Sequence, residues 1–491
     1  MWQLKLAGRV ITTCIRTVAA LYLGVRAGIA AERSIVAFHS RASRRIFLYQ
    51  YKKLLRVPKR ILLQIRDEMA SHARRSLQGD KSSTMPMLPA YVDRLPTGSE
   101  SGTFFALDLG GTNFRVRYVA LEKGKDEIDT KSVQYKISKA IMTAPVEDLF
   151  DYMASKSVPF MRRFLDPKAG RPRIGFTFSF PMEQTGIASA RLLRWTKGYS
   201  CPGGVGSDPV RLLKDAFARK GMEVDVPVLA NDTVAVLAAG RYYHPDCRMG
   251  VILGTGTNAA YMERTARIAR AELPSGTEEM AINTEWADFL GESLPTLPED
   301  RGLDEASFNT GLQLYEKMIS GMRLGEIVRR ILVTLGRRGL LWGGDVPLEL
   351  LVEHRIPTSL VSRLDDGRKV ADARMVLTEL GLNPGGCLSR NELQTVIEVC
   401  SLVGRRAARL SAAGMLAIMN LMGIDGSDGP VPDFTIAVDG GLFEKYASFR
   451  DNVGEALREV LGEEAAKRVA LRHAGDGSGD GAAMLAAIAP A

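Results

Sequence analysis

The run FFALDLGGTNFRVRYVAL, Phe104 to Leu121, has an apolar segment on either side of Gly110 and Gly111. Adjacent glycines permit a tight turn, so the run predicts a strand, a turn and a second strand. Outward from it, residues 145–165 predict a helix, and RIGFTFSF, from Arg173, predicts another strand. Further on, VPVLA, from Val226, is apolar enough for a buried strand, and VAVLAAGRYY, from Val234, for the helix after it. Strands alternate with helices, the pattern of an α/β fold. Beyond Asp232 helices dominate, since residues 305–336, 392–423 and 443–469 repeat apolar side chains at helical spacing. Residues 79–102, rich in Pro, Ser and Gly, read as an extended connector ahead of the first strand.

With 491 residues, 46% of them hydrophobic, the chain is long enough to bury a large core in two or more domains. Its net charge of +9 is unevenly spread: residues 1–66 hold 14 Lys or Arg against one acid, Glu32, which leaves the other 425 residues at −4. A body of mild negative charge has no electrostatic footprint for nucleic acid. The basic segment places Lys5, Arg9 and Arg16 on one face of a helix and reads as an organelle-targeting or surface-anchoring segment. Its longest uncharged run, Thr17 to Val25, is about half of the ~20 residues a spanning helix needs. Two destinations are open: a transit peptide into a plastid or mitochondrion, or an anchor on an outer membrane facing the cytosol. Five scattered cysteines, Cys14, Cys201, Cys247, Cys387 and Cys400, show no metal-binding spacing and point to a reducing compartment.

Three glycine-rich turns stand out: DLGGTN (Asp108 to Asn113), GTGTN (Gly254 to Asn258) and GDGSGDGAA (Gly475 to Ala483). Such turns free backbone N–H groups to converge on a polyphosphate, with Thr112, Thr255 and Ser478 adding hydroxyls. A plain hairpin turn accounts equally for the first and a helix start for the third. Neither GxxxxGK[ST] nor GxGxxG at a strand-to-helix turn is present, which disfavours P-loop and Rossmann enzymes. What remains is a phosphate site assembled from turns far apart in sequence, in a cleft between domains. At the junction of VPVLA with the following helix, Asp232 reads either as the helix N-cap or as a cleft carboxylate able to take a proton from an alcohol.

The chain from about Tyr91 to Leu485 resembles the eukaryotic hexokinase family, most closely plant or algal members. The stretches that carry the resemblance are LDLGGTNFRV, GFTFSFPMEQTGIAS, LRWTKGYS, ANDTVAVLAAGRYY, VILGTGTNAAY, INTEWADF, YEKMISGM, VDGGLFEKY and GDGSGDGAA, in the family's order. The resemblance implies a two-lobed, actin-like ATPase (ribonuclease H-like) fold with a sugar and ATP cleft between a small and a large domain. It divides the chain into a targeting or anchoring segment, 1–66, and a helix and connector of the large domain, 67–99. A small domain follows over 100–230, completed by about 472–491, and a large domain over 231–471.

By the same resemblance, Asp232 is the base for the 6-hydroxyl of D-glucose and related hexoses, and Lys197 contacts both sugar and phosphoryl group. Ser179, Thr196, Lys197, Asn231, Asn258, Glu285 and Glu316 match sugar-binding positions. Gly110, Gly111, Thr112, Asn113, Arg115, Thr255, Gly441, Gly477 and Ser478 match ATP-binding positions, and Asp108 orients Mg²⁺ through water. The family pattern is broken at Ala190-Arg191, Ala287 and Arg323, which bears on sugar affinity and range. A sugar-binding regulatory protein with little catalysis, on an organelle surface, is the competing expectation; an actin-like structural ATPase is a third, which has no use for the Thr-Lys, Asn-Asp and two-Glu set.

Overall fold

The computed structural model describes residues 46–111, 113–123, 128–166, 170–427, 429–475 and 477–490. The hairpin expected around Gly110 is present: Gly102–Leu109 and Asn113–Leu121 pair antiparallel, with Asp108 opposite Arg115. They belong to a five-stranded sheet whose spatial order is Asp129–Lys136, Asn113–Leu121, Gly102–Leu109, Arg173–Phe178, Asp225–Ala230. The last three run parallel, so the carboxyl ends of all three open on one edge. Helices Val146–Met161 and Pro209–Arg219 cover one face, and Phe150, Phe176, Phe178 and Phe217 form the small-lobe core between them.

A second sheet has six strands in the order Leu88–Pro89, Glu279–Asn283, Thr257–Arg264, Cys247–Leu253, Phe434–Asp439, Val469–His473. The large-lobe core packs against it around the 33-residue helix Arg390–Met422. That helix starts in a capping box, Ser389 with Glu392, and stops at Gly423, whose φ of 71° ends it in the left-handed region.

Between the two sheets lie helices Asp232–Tyr243 and Gly477–Ile488, which share a third apolar core with both lobes. Helix Asp232–Tyr243 is buried nearly all round, which explains why VAVLAA carries no polar face. Glycines set the closeness of fit: a Cβ at Gly481 would stand 1.7 Å from the Ala235 carbonyl oxygen, and one at Gly250 2.6 Å from that of Thr233. No side chain of any size fits at either position, so the start of this helix, with Asn231 and Asp232, is held rigidly against both lobes.

One boundary is corrected. Residues 46–66, grouped by sequence with the targeting segment, are part of the large lobe. A helix over 46–55 and the helix Lys59–Leu77 bury Phe47, Tyr51, Leu62 and Ile65 in its core, and Arg409 donates to the Val57 carbonyl at 2.7 Å. Their basic residues decorate a folded surface, and the expectations for Lys5, Arg9 and Arg16 lie outside the described residues. Among the described residues no helix is long and apolar enough to cross a membrane.

Candidate active site

The strand Asp225–Ala230 delivers the chain to the middle of the molecule, where the next helix must satisfy its first N–H groups. Asn231, not Asp232, is the N-cap: its Oδ1 accepts from the Thr233 amide at 2.9 Å and from the Thr233 hydroxyl at 2.7 Å. Asp232 is the first helical residue. Its Oδ1 also accepts from the Thr233 amide at 2.9 Å, and its Oδ2 has no hydrogen bond among the described residues. Capping by Asn231 thus leaves Asp232 an oxygen for other work, at the positive end of a helix.

Next to it is a web of amides and acids from three strands and a turn. The Asn258 amide nitrogen reaches Asn283 Oδ1 at 2.8 Å, Glu285 Oε1 at 3.1 Å and Asn231 Oδ1 at 3.5 Å. Asn283 donates to Glu285 Oε1 at 2.8 Å. Glu285 sits just after the strand Glu279–Asn283 with φ 48°, a strained turn geometry found at functional sites. Glu316, on the short helix Leu314–Ile319, reaches in above Gly256 and accepts from the Thr257 amide at 2.9 Å. A Cβ at Gly256 would lie 2.7 Å from Glu316 Oε2, so the glycine lets the carboxylate approach.

Burial above all, then the charges of Asp232 and Asp288, pushes the Glu285 carboxyl up to about 7, against an opposing hydrogen bond from Asn283 and the charge of Lys197. Glu316 is raised in the same way, chiefly by burial. A raised folded-state value means that between the ordinary 4.5 and about 7 the folded protein holds a proton that the unfolded chain has lost, so stability falls as pH rises through that window. Glu285→Gln, neutral at every pH, is therefore expected to melt about 2 °C or more above the parent at pH 8 without ligand, with the gap closing near pH 4.5. Thermal unfolding at the two pH values checks this, and an equal offset at both would contradict it.

On the other side of Asp232 are the glycine turns. Gly110 closes its hairpin by donating to the Asn113 carbonyl at 3.0 Å, while Thr112 lies outside the described residues. Asp108, at the strand end, is within 3.5 Å of the Ser478 hydroxyl and 3.9 Å of Arg115, whose Nε donates to Gln134 at 2.9 Å. The turn at Gly254 stacks on the one at Gly440: with φ 115°, Gly440 has no room for a Cβ, which would be 2.5 Å from the Leu253 carbonyl oxygen. Gly441 follows at the first position of a short helix, Thr255 is exposed, and a Cβ at Gly477 would be 3.7 Å from Asp439. Lys197 extends past Gly111, and its Nζ donates to the Ser179 carbonyl at 2.8 Å; Thr196 precedes it in the same turn.

Burial first, then the charges of Asp232 and Asp439, raises the Asp108 carboxyl to about 6, opposed by Arg115 and Lys197. A raised acid among other acids suits a bound cation. Among the described residues, however, no three metal-ligating side chains come together. The set fits Mg²⁺ carried in on a polyphosphate and keeping most of its water, not a cage made by protein alone.

The structure thus gathers the sequence-predicted residues, Thr112 apart, into one region, and adds two that sequence reading missed. Asn283 ties Glu285 to Asn258, and Asp439 ends the strand beside Asp108 and Gly477. Both lie in acid-bearing runs, INTEWADF and VDGG, and a polar residue at a buried strand end was the available signal. Of the departures, Arg191 pairs with Glu183 at 2.7 Å on an exposed hairpin, Ala287 is buried behind Glu285, and the charge of Arg323 is felt by Glu316.

Two domain models, both described as hexokinase, match residues 48–242 and 248–488. The spinach protein Hexokinase-1 is 43% identical over 438 residues, covering 87% of each chain. The chain belongs to the hexokinase family. Among its relatives, Hexokinase-4, chloroplastic, of Oryza sativa subsp. japonica is 42% identical, covering 88% of this chain and 86% of its own. The solved hexokinase of Schistosoma mansoni, complexed with glucose, superposes with a TM-score of 0.80 at 33% identity, covering 90% of this chain and 99% of its own. This is therefore a plant-like hexokinase on a two-lobed sugar-kinase fold.

Proposed function

We propose that this hexokinase transfers the γ-phosphoryl group of ATP to the 6-hydroxyl of D-glucose and related hexoses, with Asp232 as the base. The observation that carries the reading is the place of Asp232. Its charge is felt both by Glu285, in the amide and acid web, and by Asp108, among the glycine turns. A group at that midpoint can hold a sugar alcohol on one side and meet a terminal phosphate on the other. The free Oδ2 accepts the hydroxyl proton as the new O–P bond forms.

Asn231, Asn258, Glu285 and Glu316, with Ser179 and Thr196, bind the ring hydroxyls. Buried polar groups of this kind discriminate strongly, because an analogue lacking a hydroxyl leaves them unpaired. Lys197 places its ammonium where charge gathers on the transferred group. Asp108 and Asp439 would hold Mg²⁺ through water, and the ion when bound neutralises phosphate charge. Gly110, Gly111, Asn113, Thr255, Gly441, Gly477 and Ser478 offer backbone and hydroxyl donors to the nucleotide.

The test is an assay of glucose with Mg-ATP, coupled to detection of the 6-phosphate: sugar-dependent ADP release is expected, and sugar binding without transfer would leave a sugar-sensing protein instead. The rice relative named chloroplastic and the basic residues 1–45 support an organelle destination, with contact between that segment and a membrane as part of the proposal. Cell fractionation tests it, and a wholly cytosolic protein would count against it.

A further inference from the structure

The loop that carries Thr196 and Lys197 begins with Arg194, and the turn that carries Glu285 ends with Asp288. The first is anchored in the small-lobe core through Trp195 and Tyr199, the second in the large-lobe core through Trp286 and Phe289. An ion pair joins the two across the cleft, with Arg194 Nη2 3.7 Å from Asp288 Oδ2. That separation is too long for a hydrogen bond. Asp288 is 21% exposed at the side chain, and its second oxygen, Oδ1, is buried with no hydrogen-bond partner among the described residues. A buried carboxylate oxygen left unpaired is unfavourable. A guanidinium can end that, because its planar fork presents parallel N–H groups to both oxygens of one carboxylate.

We infer that Arg194 and Asp288 form a latch between the lobes: as the cleft narrows over a sugar, the present single long contact becomes a two-pronged one that takes up the orphaned oxygen. The latch is a positioning device and touches neither substrate. It favours the narrowed cleft because it is better made there than here, and only such a difference between the two states can shift their balance. Since the sugar-binding residues of the large lobe and the Thr196-Lys197 turn of the small lobe must act on one molecule, a latch joining their supports raises sugar affinity without taking part in transfer. The inference rests on the sugar site proposed above.

The experiment is a glucose titration of the full chain without ATP, followed by intrinsic tryptophan fluorescence, since Trp195 and Trp286 flank the pair on either lobe, together with steady-state kinetics. Asp288→Asn and Arg194→Gln are each expected to weaken glucose binding and raise KM about fivefold with kcat within a factor of two, and the double variant to be no worse than either alone. Arg194→Lys, which keeps the charge but loses the fork, is expected to recover only part of the affinity. The parent's affinity should fall with added salt more steeply than that of the variants. Titrations of both single variants that overlay the parent, or losses that multiply in the double variant, would overturn the latch. Arg194 is 51% exposed, so its variants report even if Asp288→Asn folds poorly. Failure of the parent itself to bind glucose would instead strike the sugar-site reading, a separate outcome.

Discussion

Replacing Asp232 with Ala is expected to lower kcat by about a thousandfold while leaving glucose affinity within about tenfold of the parent. The separation follows from the division of labour at the helix start. The cap is made by Asn231, which keeps both its bonds to Thr233 in the variant, so the helix and the core shared by the lobes remain. Asn258, Asn283 and Glu285 hold one another through bonds that do not involve Asp232. The sugar therefore still has its partners, and what disappears is the acceptor for its proton. Removing the Asp232 charge also relieves Glu285 and Asp108, whose carboxyls it helps to raise, so the variant should melt no lower than the parent. Steady-state kinetics beside a tryptophan fluorescence titration separate the two quantities. A kcat within tenfold of the parent, or an affinity that collapses along with kcat, would remove Asp232 from the role of base.

Much of this was legible in the sequence because glycines and hydrophobic runs report local geometry directly. FFALDLGGTNFRVRYVAL specifies its own hairpin, and the apolar VAVLAA announces a helix packed on every side. Less legible was anything fixed by a partner distant in the chain. Nothing local marks residues 46–66 as core, since their basic side chains face outward and only the large lobe supplies the contact for Phe47 and Tyr51. The helical run from Phe443 is broken at Tyr446 and Gly462 and ends at the edge strand Val469–His473, whose pairing with Phe434–Asp439 no periodicity foretells. At the site, residue types were readable and their bonding was not. Asn231 was read as a sugar ligand and Asp232 as a possible cap, yet the cap belongs to Asn231. Asn283 and Asp439 escaped notice because each gains its meaning from neighbours on other strands.

The second large effect concerns Lys197 and depends on how its turn is held. Lys197 has a positive φ of 56°, which a residue with a Cβ keeps only where its surroundings enforce it, and Gly198, free to take such values, follows at 87°. Enforcement comes from an aromatic group: Trp195 stacks on Tyr199 with centroids 5.7 Å apart, and Phe180 meets each of them edge-on at 5.0 Å. The Trp195 indole N–H is fixed on the Cys201 carbonyl at 2.8 Å. So held, the ammonium rests on the Ser179 carbonyl and over the Phe180 ring, 5.7 Å from its centroid, with its stem beside Gly111 of the glycine turn. Because Lys197 is exposed, Lys197→Met removes the charge and little packing, and the melting temperature should stay within about 2 °C of the parent. The expected loss in kcat is about a hundredfold, the scale on which a single preorganised charge at a developing anion acts, with a smaller rise in sugar KM. Lys197→Arg is not expected to restore the rate, since a planar fork cannot occupy the place of a compact ammonium on one carbonyl. A kcat loss below threefold in Lys197→Met would show that the charge on the transferred group is met elsewhere, with Arg115 the first alternative to examine, because it already stands 3.9 Å from Asp108.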